Sequence, residues 1–346
     1  NPAIGRAYAS TTHCNPDSGA CRAACMSANA AATIVMSSSS MNTTTQTAVS
    51  VSLGRTPAVC TGVHAPRVRK VEPMTRDFRF GVGLRHTDSR SAVQEAARRG
   101  EDLGYDVLLV PDHLGAPAPF PVLATAAAAS STLHLGTFVF NACFYKPALL
   151  ARDIAAMRDL TEGRFETGLG AGYVKEEFDA AELPFPSAGK RVEYTAHVTS
   201  YLRTHLPEVP VMIAGAGDKL LTVAAQQAQI IGLTGGGPPS PDHDPLAERI
   251  SFVRNAAGDR FDELELNLAI TAVPTDGSGI PNLSMTRRFQ PDLSDAELLA
   301  TPGALSGSTT DMADRIRDLR DRYGVSYFIV QQQHSEAFAK VIAELR

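Results

Sequence analysis

Residues 103–113, Leu103-Gly104-Tyr105-Asp106-Val107-Leu108-Leu109-Val110-Pro111-Asp112-His113, decide the fold. The four apolar residues Val107 to Val110 read as a strand buried on both faces, because a strand with one wet face would alternate. Ahead of them, Ala92 to Leu103 places apolar residues at helical spacing, and Gly104 supplies the left-handed residue that a helix C-terminus favours. Behind them, Pro111-Asp112-His113 ends the strand in polar groups. A helix turned by glycine into a doubly buried strand is the junction from which parallel sheets are built.

The same junction recurs along the chain. Strands are predicted at 78–84, 107–110, 133–141, 164–170, 209–214, 229–233, 264–273 and 326–330. Helices are predicted at 92–103, 121–130, 147–160, 193–205, 219–227, 245–256, 310–323 and 336–345, with Ser308 or Thr309 capping the seventh. Eight apolar strands, each followed by a helix, predict a (β/α)8 TIM barrel over 74–346; a doubly wound open sheet is the rival arrangement.

Composition sets the limits. A chain of 346 residues at ~150 per domain would suggest two domains, but a (β/α)8 barrel alone takes roughly 250, which leaves two ordinary domains or one barrel with an appendage. With 44% hydrophobic residues it is not disordered throughout, and it has no apolar run of about 18 residues to span a membrane. A net charge of −5 argues against a nucleic-acid or anionic-membrane binder. The charge is unevenly spread. Residues 1–73 hold two acids, Asp17 and Glu72, against six bases, and removing that +4 leaves −9 for 74–346. This first segment is rich in Ser, Thr and Ala, has no sustained apolar period, and reads as a disordered, low-complexity leader. Two origins fit it: an organellar transit peptide, or a non-native extension translated from upstream of Met74. Four of the five cysteines lie there without the paired spacing of a zinc site, so no metal is expected. A body with Cys143 alone suits a reducing compartment, the cytoplasm.

Barrel enzymes carry their chemistry at the C-terminal ends of the strands. Those ends here include Asp112-His113, Asn141 to Tyr145, Gly170-Ala171-Gly172-Tyr173, Gly215-Ala216-Gly217-Asp218 and Gln331 to His334. Gly-x-Gly between a strand and a helix lets backbone N–H groups approach an anion at a helix N-terminus. Gly215-Ala216-Gly217, followed by Lys219, is the first phosphate candidate and Gly170-Ala171-Gly172 the second; the alternative is that each pair merely turns the chain. Neither a dinucleotide fingerprint nor a Walker loop is present. His113 stands where an imidazole can exchange a proton with a substrate, although many lone histidines are structural. Asp112 either orients that ring or caps the following loop.

Taken in order, Leu103-Gly104-Tyr105-Asp106, Val110-Pro111-Asp112-His113, Leu135-Gly136-Thr137-Phe138-Val139-Phe140-Asn141, Glu162-Gly163-Arg164-Phe165, Gly168-Leu169-Gly170-Ala171-Gly172-Tyr173 and Ile213-Ala214-Gly215-Ala216-Gly217 resemble the luciferase-like flavin- and deazaflavin-dependent oxidoreductases. The subgroup most similar is the actinobacterial branch that uses coenzyme F420. The resemblance implies a homodimeric barrel that holds its ring in the mouth and its phosphate at Ala171, Gly172, Gly215, Ala216 and Gly217. It implies a non-proline cis peptide at Phe138–Val139 against the ring, Asn141 near the ring or its ribityl chain, and His113 as the proton-transfer residue at the reactive face. Tyr173 stands where many deazaflavin enzymes place glutamate or tryptophan, and the stretch 201–210 leaves no room for the lid that relatives often insert. The implied activity is hydride transfer between F420 and a small organic substrate. An FMN-dependent monooxygenase using O2 is the alternative, and a catalytically inactive barrel serving as ligand binder or heterodimer partner is the third reading.

Overall fold

The computed structural model describes residues 76–87 and 89–346; the expectations for residues 1–73 lie outside the described residues. Strands β1 (Arg79–Gly83), β2 (Val107–Val110), β3 (His134–Thr137), β4 (Phe140–Asn141), β5 (Phe165–Gly170), β6 (Val211–Ala214), β7 (Ile230–Leu233), β8 (Glu265–Ala269) and β9 (Val325–Gln331) form one sheet. All are parallel, in the order β3-β2-β1-β9-β8-β7-β6-β5-β4, and β3 also pairs with β5. That last pairing closes the barrel and excludes the open doubly wound sheet.

The nine strands make eight staves. Leu135 pairs with Phe165 and Phe140 with Leu169, so β3 and β4 are two pieces of one stave along β5. Between them lies the cis Phe138–Val139 peptide, which breaks the single strand expected over 133–141. Inside, Val107, Leu109, Met212, Ile230, Tyr327 and Ile329 fill the barrel, with Phe138 and Val139 packed on them. The alternate residues, among them Leu108, Val110 and Ile213, face the helices in the larger outer core. This two-sided burial is why the strands read as continuous apolar runs.

The surrounding helices are α1 (Arg90–Asp102), α2 (Pro119–Ala127), α3 (Pro147–Leu160), α4 (Lys175–Ala180), α5 (Ala188–His205), α6 (Asp218–Gln227), α7 (Pro245–Ala257), α8 (Ser284–Phe289), α9 (Asp295–Ala300), α10 (Thr309–Tyr323) and α11 (Ser335–Leu345). Gly104 takes φ +80° just beyond α1, the left-handed turn read from its position. The strand expected over 264–273 stops at Ala269. Beyond it the chain pairs elsewhere, Thr271 N–H donating to Gly303 O at 2.7 Å and Leu305 N–H to Ala272 O at 2.9 Å. Ser308 is the cap of α10: its hydroxyl accepts from Asp311 N–H at 3.2 Å while the Asp311 carboxylate accepts from Ser308 N–H at 2.8 Å. Ser308→Ala removes half of this reciprocal box and is expected to lower unfolding free energy by about 1 kcal/mol, read as a lower urea midpoint at unchanged slope.

At the N-terminal end of the strands, Arg79 on β1 ion-pairs with Glu166 on β5 and with Glu265 on β8, the latter at 2.7 Å. The Tyr327 hydroxyl donates to Glu166 at 2.9 Å, and the Arg79 guanidinium lies 4.4 Å from the Tyr327 ring centre. This charged layer plugs the end of the barrel opposite the C-terminal ends of the strands. Among the described residues no helix is long and apolar enough to cross a membrane.

Candidate functional site

Parallel closure brings the C-terminal ends of β2, β4, β5 and β6 to one rim. His113 follows β2, and its Nδ1 lies 2.8 Å from Glu177 Oε1 on α4. The His113 side chain keeps 35% of its exposure and Glu177 14%, so the ring reaches solvent while its partner is largely covered. Tyr173, 72% exposed, stands edge-on to the imidazole at 6.4 Å between ring centres.

Asp112 does a different job from its neighbour. Its Oδ2 accepts the Asn141 backbone N–H at 3.1 Å, and the Tyr145 hydroxyl also bonds to the carboxyl. Asp112 therefore ties the end of β2 to the end of β4, and the ring of His113 is held by Glu177 instead. Burial pushes the Asp112 carboxyl above the usual carboxylate range, against the opposing pull of those two donors.

Asn141 is buried, and its Oδ1 accepts from Cys143 N–H at 3.2 Å. Gly172 lies flat against that amide: a Cβ there would sit 2.3 Å from Asn141 Oδ1, and its φ of +69° already favours glycine. Two of the expected site residues thus require each other. The Gly172 carbonyl accepts from Arg191 Nε at 2.9 Å. Arg191, buried in the first turn of α5, also donates to Pro186 O and stacks its guanidinium 4.1 Å from the Phe185 ring centre. Among the described residues it has no carboxylate partner within ion-pair distance.

The β6 loop is the neighbour of the β5 loop, since Leu169 pairs with Ile213. Gly215 packs under Leu220, where a Cβ would approach Leu220 Cδ2 to 2.5 Å. Ala216 and Gly217 are exposed, and Gly217 is the N-cap of α6, where no side chain caps the helix. Lys219 reaches toward the start of α5, its Nζ 3.8 Å from where a Cβ on Gly189 would lie. Asp218, by contrast, is neutralised by an ion pair to Arg249. On the inner side Val139 lies against β5, within 2.9 Å of a Cβ placed on Gly170. The fold thus gathers His113, Phe138, Val139, Asn141, Ala171, Gly172, Tyr173, Gly215, Ala216 and Gly217 on adjoining staves of one rim.

Two contributors escaped the sequence reading. Glu177 lies on a six-residue helix too short to show a period, and Arg191 lies ahead of the expected helix start at Glu193. The signal for Arg191 was present in Pro186-Ser187, a helix-opening pair just upstream.

A closed parallel barrel that gathers a hydrogen-bonded histidine–glutamate pair and two glycine loops on its C-terminal rim has the arrangement in which barrel enzymes place their sites. The model of the luciferase-like monooxygenase family matches residues 77–278, more than half of the chain, and the chain belongs to that family. It is similar to 5,10-methylenetetrahydromethanopterin reductase of Methanopyrus kandleri, 31% identical over 107 residues, 31% of this chain and 30% of that protein. The chain thus spans about a third of the length of that relative. Among solved structures, an F420-dependent secondary alcohol dehydrogenase in complex with an F420–acetone adduct superposes with TM-score 0.62 at 18% identity, covering 78% of this chain and all of the other. A riboflavin lyase with modified FMN and riboflavin superposes with TM-score 0.63 at 14% identity, covering 78% and 92%. At these identities the two structures show the shared fold.

Proposed function

We propose that this chain is an F420-dependent oxidoreductase that exchanges hydride with a small organic substrate, His113 supplying or removing the accompanying proton. The observation that carries the reading is the His113 imidazole, held at Nδ1 by Glu177 and open at Nε2, on the same rim as two glycine loops. The rim residues fit a phosphorylated ring cofactor. The N-terminus of α6 is uncapped by side chains, Lys219 stands beside it, and Arg191 brings a guanidinium without a carboxylate partner to the Gly172 loop. These are donors for a phosphate. Phe138 and Val139 offer an apolar floor to a planar ring, and Asn141, pinned by Gly172, borders it.

When bound, the deazaflavin supplies the hydride; the protein supplies orientation and the proton. Ala171, Gly172, Ala216 and Gly217 would hold the phosphate through backbone N–H groups, whereas Gly215 N–H, expected among them, is taken by Gly232 O at 3.2 Å; Arg191 and Lys219 would add charge, and Tyr173 would shield the ring of His113 from one side. FMN is the alternative cofactor, because its ring and phosphate present the same groups to this rim. The enzyme is further proposed to be a cytoplasmic homodimer, which sedimentation at micromolar concentration reads directly.

Oxidation of chemically reduced F420 and of reduced FMN by the full chain, each with and without oxygen and across a panel of small carbonyl and imine acceptors, tests the assignment. F420 oxidation that needs an acceptor and no oxygen is the expected result; oxygenation of a substrate with reduced FMN and O2, above the spontaneous oxidation of free reduced FMN, would make the protein a monooxygenase. The phosphate subsite has its own probe. Gly217 has ordinary φ, −77°, and nothing within 4 Å of an added Cβ, so Gly217→Leu leaves the fold intact. It is expected to weaken cofactor binding about tenfold or more by covering the α6 N-terminus; unchanged affinity in a fluorescence titration would place the phosphate elsewhere.

A further inference from the structure

We infer that Glu177 is the positioning residue of the site: it fixes the proton of neutral His113 on Nδ1 and so leaves the Nε2 lone pair, or Nε2–H once the ring is charged, for the substrate. The inference rests on His113 being the proton-transfer residue, but its geometry stands alone. An imidazole presents two different nitrogens, and a carboxylate, which only accepts, selects the tautomer whose proton points at it. The Glu177 oxygen is 2.8 Å from Nδ1, and no described residue hydrogen-bonds to Nε2. The other charged group beside the ring, Asp112, is spent on Asn141 N–H and the Tyr145 hydroxyl. Tyr173 presents an edge rather than a hydrogen bond.

The backbone reinforces the choice. His113 is carried on the loop that leaves β2, whereas Glu177 comes from α4, entered directly from the β5 loop through Val174. Glu177 N–H bonds to Val174 O at 3.2 Å, and the next residue, Phe178, is fully buried between Phe144 and Phe185. A buried aromatic beside the acid anchors α4, so the carboxylate is presented from a fixed turn. The pair therefore joins the two loops that flank the proposed ring site, and the ring orientation it sets is independent of any bound molecule.

Nitrogen-15 NMR of histidine-labelled full-length protein, at a pH where the ring is neutral, reads the tautomer directly. The native protein is expected to show His113 protonated at Nδ1. Glu177→Ala is expected to move it to the Nε2–H form that a free histidine side chain favours, and Glu177→Gln, whose amide can present its oxygen or its NH2 to Nδ1, to fall between the two. In turnover Glu177→Ala should lose at least tenfold in kcat with cofactor affinity within threefold, and Glu177→Gln should recover part of it. A native ring protonated at Nε2, or a pattern unchanged in Glu177→Ala, overturns the inference. If the tautomer shifts as stated while His113→Ala keeps full turnover, the positioning stands and the proton-transfer reading of His113 fails instead.

Discussion

His113→Ala should lower kcat by about 10²- to 10⁴-fold while leaving cofactor affinity within about threefold, the range expected when one positioned proton donor is removed. The ring is the proposed acid–base group, carried on the loop after β2; it reaches solvent, and the proposed phosphate contacts lie on the β5 and β6 loops instead. Loss of kcat with an intact Kd is therefore the signature of a chemical role. The packing cost is small, because the side chain is only partly covered and Tyr173 meets it at an edge. Steady-state rates together with cofactor titration of the same preparation check this. Full turnover in the variant would remove His113 from the mechanism and assign the proton transfer to another group.

Arg79→Met should cost about 3–5 kcal/mol of unfolding free energy, because it strands two covered carboxylates, Glu166 and Glu265, around the side chain that neutralised them. Methionine keeps much of the apolar stem, so the deficit reports the lost charge. Burial already pushes the Glu265 carboxyl above the usual range in the native protein, with Arg79 opposing. Without Arg79 the folded state binds more protons than the unfolded chain between about pH 7 and 5, so the deficit should narrow as pH falls. Adding Glu166→Gln and Glu265→Gln should recover part of it. The cluster sits at the N-terminal ends of the strands, away from the rim, so cofactor binding by the folded variant should be unchanged. Urea unfolding at pH 5 and pH 7 gives both readings, and a loss below about 1 kcal/mol would show the layer to be ornamental.

The barrel was legible because its strands are buried on both faces. Val107 to Val110 and Ile230 to Leu233 have no wet side, so composition alone marks them, and Gly104 and Pro147 mark helix boundaries by backbone preference. His113 and the two glycine loops followed from topology, since they lie just beyond apolar runs, whereas Phe138, Val139 and the role of Asn141 came from the family resemblance. What the sequence hid were contacts between distant segments. Arg79, Glu166 and Glu265 each sit in a strand as an isolated charge, and only closure of the barrel explains them. Asp112 left two roles open because its partners, Asn141 and Tyr145, lie some thirty residues on, across two strands. Glu177 and Arg191 belong to short or unmarked helical turns, where no period announces a face. Of the two options that length left open, one barrel accounts for all of 76–346 that is described.

The central claim, that the rim of this barrel binds a phosphorylated deazaflavin, is tested most directly by titrating the full chain with F420 and with FMN and following the quenching of cofactor fluorescence. The account predicts saturable binding of F420 at micromolar concentration or tighter, weaker binding of FMN, and F420 affinity lowered about tenfold or more in Gly217→Leu. Saturable binding of neither cofactor would contradict it.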